Sequence, residues 1–131
     1  MVELTKAEFE LMQKLWSLKK AYLNEVVDAY GDDGPAYTTV STLLSRMCAK
    51  NYVGFIKHGR DKHYYPKIKK SDYSKSQLKK VINNFFNGSK IQFANYFTQK
   101  TDLSAEELKS LQEIIQKEIE RKEKENDSCS S

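Results

Sequence analysis

The first periodic run of apolar positions along the chain is Phe9, Met12, Leu15 and Trp16, spaced three, three and one. That spacing keeps one face of a helix apolar. Thr5 followed by Glu8 makes a capping box, in which the hydroxyl satisfies one free amide and the carboxylate reaches back to another, so a helix is predicted from there to about Leu18. Leu23, Val26, Val27 and Tyr30 form a second, shorter stripe that stops at Gly31, and Asp32-Asp33-Gly34-Pro35 reads as a loop. A third helix is predicted from Tyr37-Thr38-Thr39, whose hydroxyls can cap its start, to about Asn51. Val40, Leu43, Leu44 and Met47 are its inner stripe.

After Asn51 the period drops to two. Residues 52–58 and 62–66 alternate in the manner of strands, and Gly59 sits between them, so a β-hairpin is predicted directly after the third helix. Its tip gathers Lys57, His58, Arg60, Lys62 and His63. Two helices, a turn, a third helix and a basic hairpin form the layout of a winged helix-turn-helix, in which the third helix enters the major groove and the wing rests on the adjacent backbone. The fold class expected is therefore mainly α with a small hairpin, with the winged domain occupying 1–70.

Beyond it the helical period returns. A helix over 73–86 carries Leu78, Val81, Ile82, Phe85 and Phe86 and stops at Asn87-Gly88, and a second over 89–98 carries Ile91, Phe93, Tyr96 and Phe97. Ser104 and Glu107 open a last helix with another capping box, followed by Leu108, Leu111, Ile114, Ile115 and Ile119. The charged stretch 117–125 is expected to fray and 126–131 to be disordered. Each of these helices has a single apolar stripe and short connections, so 71–125 cannot build a deep core alone. Its faces need a partner, either a second copy or the N-terminal domain. A homodimer is the favoured expectation, because palindromic half-sites demand two-fold symmetry, with Phe93, Phe97, Leu108, Leu111, Ile114 and Ile115 as candidate contacts.

Charge sharpens this organisation. The net charge of +4 resolves into −3 over residues 1–42, +10 over 43–90 and −3 over 91–131. A focused basic block suits a polyanion, since each cation that neutralises a phosphate releases a counterion. The outer face of the third helix is Thr39, Ser41, Thr42, Ser45 and Arg46, side chains short enough to let a helix approach base edges closely.

Other classes are disfavoured. The longest apolar runs are far short of the roughly 20 residues a membrane span needs, and the acidic N-terminus does not resemble a secretory signal. Cys48 and Cys129 draw neither a disulfide framework nor a metal pair, which fits a reducing cytoplasm. No hydrolase elbow, zincin or P-loop motif is present, so no enzymatic activity and no cofactor are expected. His58 and His63 flank Asp61, but histidines on a basic wing more often meet phosphate or solvent, and no metal site is assigned.

The stretches LTKAEFELMQKLW, NEVVDAY, AYTTVSTLLSRMCAKNYV, IKHGRDKHYYP and DLSAEELKSLQEII resemble the penicillinase and methicillin-resistance repressors, and the resemblance covers nearly the whole chain. It implies a dimeric repressor with an N-terminal winged helix and a C-terminal helical dimerisation region. Carried over by position, it implies that Thr38, Thr39, Ser41, Thr42 and Arg46 read the duplex DNA operator and that Lys57, Arg60 and Lys62 hold its backbone. It also implies relief of repression by a membrane sensor protease that cuts at an Asn-Phe bond. Here that region reads Asn95-Tyr96-Phe97, so the dipeptide is absent and the bond is either Asn95-Tyr96 or Tyr96-Phe97. A copper-responsive branch uses a C-terminal cysteine cluster, which a lone Cys129 does not supply.

Two function classes follow: a sequence-specific transcriptional repressor, and a winged-helix interaction module that binds a protein or RNA without operator specificity.

Overall fold

The computed structural model describes residues 3–130, with side chains described to Asp127. The element order is α1 (Lys6–Leu18), α2 (Leu23–Tyr30), α3 (Tyr37–Ala49), β1 (Val53–His58), β2 (Asp61–Pro66), α4 (Lys70–Phe85), α5 (Lys90–Lys100) and α6 (Ala105–Ser130). The chain gathers into two compact units, 1–79 and 80–131, and the division falls inside α4.

In the first unit, α1 begins as its sequence dictates. The Glu8 amide donates to Thr5 Oγ1 at 3.2 Å and the Thr5 amide donates to Glu8 Oε1 at 2.9 Å, which closes the capping box. Leu11, Met12 and Leu15 of α1, Val26 of α2, and Val40, Leu44 and Met47 of α3 are fully shielded from solvent and form one core, completed by Val53 and Tyr64 of the hairpin. Fixing this core fixes which side of α3 is left outside. The start of α3 differs from expectation. Its N-cap is Ala36, with no side chain accepting from the first turn, and the hydroxyls of Thr38 and Thr39 lie inside the helix rather than ahead of it. Asn51 ends this segment at φ +70°, a conformation asparagine tolerates better than most residues, and turns the chain into β1.

The hairpin is antiparallel, in register from Val53 opposite Pro66 to His58 opposite Asp61. Its two-residue turn has positive φ at Gly59 (+67°) and not at Arg60, the pattern of a type II′ turn, whose twist matches the strands. Gly54 is buried opposite Tyr65. A Cβ there would sit 2.5 Å from the Tyr65 ring, so only glycine lets that ring close over the strand.

α4 begins at Lys70, ahead of the expected 73. Tyr73 is buried against Phe9 and Trp16, with ring centroids 5.8 and 6.1 Å away, and Trp16 Nε1 donates to the Ile68 carbonyl at 2.8 Å. These contacts seat the first turn of α4 on the winged domain's own core, and the compact unit extends to 79 where the sequence reading stops it at 70.

The second unit is built differently. Ser89 caps α5 by accepting from the Gln92 amide, and Ser104 and Glu107 form the capping box of α6. Phe86 packs edge-on against Phe93 and Tyr96, and Phe93 stacks on Phe97. Yet α5 buries no residue fully, and Phe85 and Ile91 stay 76% and 79% exposed. α6 continues to Ser130, past the fraying and the disordered tail expected from 117 onward, while Ser131 lies outside the described residues. Arg121 pairs with Glu118 and Glu125 one turn to either side, and the run is rich in Glu, Lys and Arg. Those strong helix formers keep a solvated helix intact without a buried face.

Candidate nucleic-acid interface

Because Val40, Leu43, Leu44 and Met47 point inward, the rest of α3 forms a polar arc. Thr38, Thr39, Thr42 and Arg46 line a shallow hollow of about 330 Å³ together with Ala7 of α1. Ser41 and Ser45 face the other way, into a cleft of about 580 Å³ shared with Arg60 and Lys62 of the hairpin. All six sequence-predicted reading residues therefore lie on one arc, divided between two grooves. Tyr37, Asn24 and Tyr22 also line the larger cleft, and sequence reasoning missed them. Tyr37 is 55% exposed at the first turn of α3, a signal that was available: a large aromatic at a helix start with no place in the apolar stripe.

The cations of the hairpin are presented by register. Lys57 faces Lys62 across the hairpin, and His58 faces Asp61, so bases alternate with the turn at the tip. Lys57, His58, Arg60 and Lys62 are all exposed. Lys62 Nζ lies 4.5 Å from the centre of the Phe55 ring, an electrostatic attraction that steadies a long side chain without neutralising it. Arg46 is likewise exposed on α3. Hydroxyl donors on the α3 wall thus face cationic donors on the hairpin wall of one cleft, a chemistry suited to base edges and phosphate oxygens.

The hairpin is tied to the helices by a short bridge. The Ala21 amide donates to the Tyr64 carbonyl at 2.9 Å and the Tyr64 amide donates back at 2.8 Å, so the link between α1 and α2 is pinned beside β2 at a single residue pair. Beside this bridge Tyr22 stacks on His63 with centroids 4.4 Å apart and planes 15° from parallel, and His58 meets His63 edge-on at 5.6 Å. The histidines are engaged with a tyrosine, and among the described residues no cluster of three potential metal ligands occurs.

Cys48 is half-buried in α3. Burial pushes its thiol up, and this outweighs the opposing pull of Lys62 and Lys67. No helix among the described residues is long and apolar enough to cross a membrane.

In the second unit, Asn95, Tyr96 and Phe97 lie inside α5, where Asn95 Oδ1 accepts from Gln99 Nε2 and the Asn95 carbonyl accepts from the Thr98 hydroxyl. Tyr96 is about half exposed and Phe97 half-buried. Leu108, Ile114 and Ile115 are exposed along α6, and Phe97, Leu111 and Ile114 border one open hollow of about 480 Å³.

The penicillinase repressor of Bacillus licheniformis is 29% identical over 121 residues, covering 92% of this chain and 94% of that protein. The methicillin resistance regulatory protein MecI of Staphylococcus aureus (strain N315) is 29% identical over 118 residues, covering 88% and 94%. A solution structure of the DNA-binding domain of the repressor BlaI is 30% identical and covers 54% of this chain and 88% of that one, with a TM-score of 0.49. The family model described as penicillinase repressor matches residues 4–117, and the chain belongs to that family.

Proposed function

We propose that the protein is a transcriptional repressor that binds a palindromic duplex operator as a homodimer. The observation that carries this reading is the cleft where Ser41 and Ser45 of α3 face Arg60 and Lys62 of the hairpin. A reading helix and a phosphate clamp must stand on the two sides of one groove if base edges and backbone are to be engaged together. In this reading Thr38, Thr39, Ser41, Thr42, Ser45 and Arg46 meet the bases, and Lys57, His58, Arg60 and Lys62 meet the backbone.

Pairing through the C-terminal helices is supported by the apolar side chains that one chain leaves uncovered there. Ile91 at 79% and Ile114 at 62% exposure are examples that a second copy would bury. Phe93, Phe97, Leu108, Leu111 and Ile115 complete the interface proposed. Relief of repression by a membrane sensor protease belongs to the same proposal, with the cut at 95–97. Because those residues lie in α5, a protease must first open the helix to reach the bond. The site of action proposed is the cytoplasm.

Selection of duplexes from a random-sequence pool by the full-length protein tests the reading. Enrichment of an inverted repeat with half-sites one helical turn or a multiple apart is the outcome expected. A pool that stays random, or preferential retention of RNA, refutes it in favour of an interaction module.

A further inference from the structure

We infer that Tyr22 is a positioning residue for DNA binding, acting through His63 to set the angle at which the basic hairpin meets the duplex. This inference rests on the DNA-binding reading above. The hairpin reaches beyond the core. Of its twelve strand residues only Val53, Gly54 and Tyr64 are buried, and every cation proposed to meet phosphate lies toward the turn, away from those anchors. The direction of the turn end must therefore be set by what touches the hairpin between the core and the tip.

Two contacts do so. One is the two-hydrogen-bond bridge between Ala21 and Tyr64. The other is the ring stack, and the register explains it. In an antiparallel pairing with Ala21 opposite Tyr64, the next residues facing one another are Tyr22 and His63, whose rings stack at 4.4 Å. On the neighbouring strand His63 faces Ile56, and His58, two residues on and on the same side of the sheet, closes on His63 edge-to-face at 5.6 Å and on Tyr22 at 6.2 Å. Three rings from three segments thus brace one side of the hairpin. Tyr22 is the only one of them outside it.

A backbone bridge at a single residue pair acts as a pivot, because rotation about it breaks neither hydrogen bond at small angles. The Tyr22–His63 stack lies one residue nearer the tip and resists that rotation. Tyr22 is also the N-cap residue of α2, and its amide donates to Glu25 Oε1 at 2.8 Å, so the ring is anchored to the helical body through its own backbone. Its side chain makes no cap hydrogen bond, so the ring can be removed without uncapping α2.

The test measures duplex binding against salt at one fixed pH for wild type, Tyr22→Ala, Tyr22→Phe and His63→Ala. Thermal melting of each variant reports its folding. With Tyr22→Ala, or with His63→Ala should the first not fold, the magnitude of the slope of log affinity against log salt is expected to fall by about 2, corresponding to loss of two phosphate contacts. Affinity should drop by the same factor on every duplex, and Tyr22→Phe should restore wild-type values. If the folded Ala variants keep the wild-type slope, or if Phe fails as Ala does, the inference is overturned while the DNA-binding reading stands. A wild-type protein that shows no salt-dependent duplex binding overturns both.

Discussion

Glu8 and Lys50, forty-two residues apart in sequence, meet with Lys50 Nζ 2.9 Å from Glu8 Oε2. Glu8 is the only buried charged residue among those described, and Lys50 is the C-cap of α3. One carboxylate therefore closes the capping box of α1 with one oxygen and ties down the end of α3 with the other. The pair is asymmetric: the Glu8 side chain is sealed from solvent, whereas that of Lys50 is 43% exposed. Removing the lysine leaves a buried charge unpaired, whereas removing the carboxylate frees a cation that can turn to water.

Lys50→Met should therefore destabilise the protein by about 3 kcal/mol and Glu8→Gln by about 1 to 2 kcal/mol. Urea denaturation at pH 7 measures both. Equal effects, or a larger one for Glu8→Gln, would argue that the ion pair is not what stabilises this junction.

The same pair sets an acid dependence. Burial tends to raise the Glu8 carboxyl, but the hydrogen bonds and charge of Lys50 and the capping bonds from Thr5 outweigh it and hold the group below its ordinary 4.5. A carboxyl lowered in the folded state contributes stability that is complete above its unfolded value and is lost as pH falls through its folded one. The difference in melting temperature between wild type and Glu8→Gln should therefore be constant above about pH 5 and shrink below the ordinary carboxylate value. A difference that stays constant to pH 3 contradicts this assignment.

Much of the winged domain could be read in the sequence, because its helices carry single clean stripes and their caps are local. The boxes at Thr5/Glu8 and Ser104/Glu107 involve residues three apart, and both form. What escaped is nonlocal. Nothing near Glu8 in sequence announces Lys50, and Tyr73 looks like part of the C-terminal region until Phe9 and Trp16 close around it. The end of α6 was missed for a different reason. A run without an apolar stripe gives no periodic signal, although helix propensity and the pairs around Arg121 suffice to extend it. At the interface, the polar arc of α3 follows from its inner stripe, but its division between two grooves depends on where the hairpin and α1 stand. The place of Tyr22 depends on a bridge that single-strand alternation does not reveal.

Gly54→Ala should destabilise the hairpin by about 1 to 3 kcal/mol, because the new methyl meets the Tyr65 ring at 2.5 Å and the ring must move from its place over the strand. Gly59→Ala meets no atom within 4 Å but must hold φ at +67°, so it should cost about 1 kcal/mol. Thermal melts of both variants check this. A larger loss at Gly59 than at Gly54 would show that turn strain outweighs the clash.

Arg60→Ala and Thr42→Ala should fail in different ways. The first removes a cation at the tip, so it should weaken binding to all duplexes and reduce the salt slope by about 1. The second shortens a side chain on the arc of α3, so it should change which duplexes are preferred more than overall affinity. Titrations of each variant on the selected operator and on a scrambled duplex separate the two. Equal losses on both duplexes for both variants contradict the division of roles.

Leu111→Asp or Ile115→Asp should yield a monomer, since an interfacial carboxylate would be desolvated without a partner. Sedimentation equilibrium reads the mass directly. A dimer retained in both variants would place the contact elsewhere, and a wild-type monomer would remove the pairing altogether.

The central claim is that α3 and the basic hairpin grip duplex DNA together and read its sequence. Its most direct test is fluorescence anisotropy of the wild-type protein on the selected operator and on a scrambled duplex of equal length across a salt series. The expected result is parallel, steeply falling log–log lines, with the operator tighter by about 10³ or more. Coincident lines, or a flat response to salt, would contradict the claim.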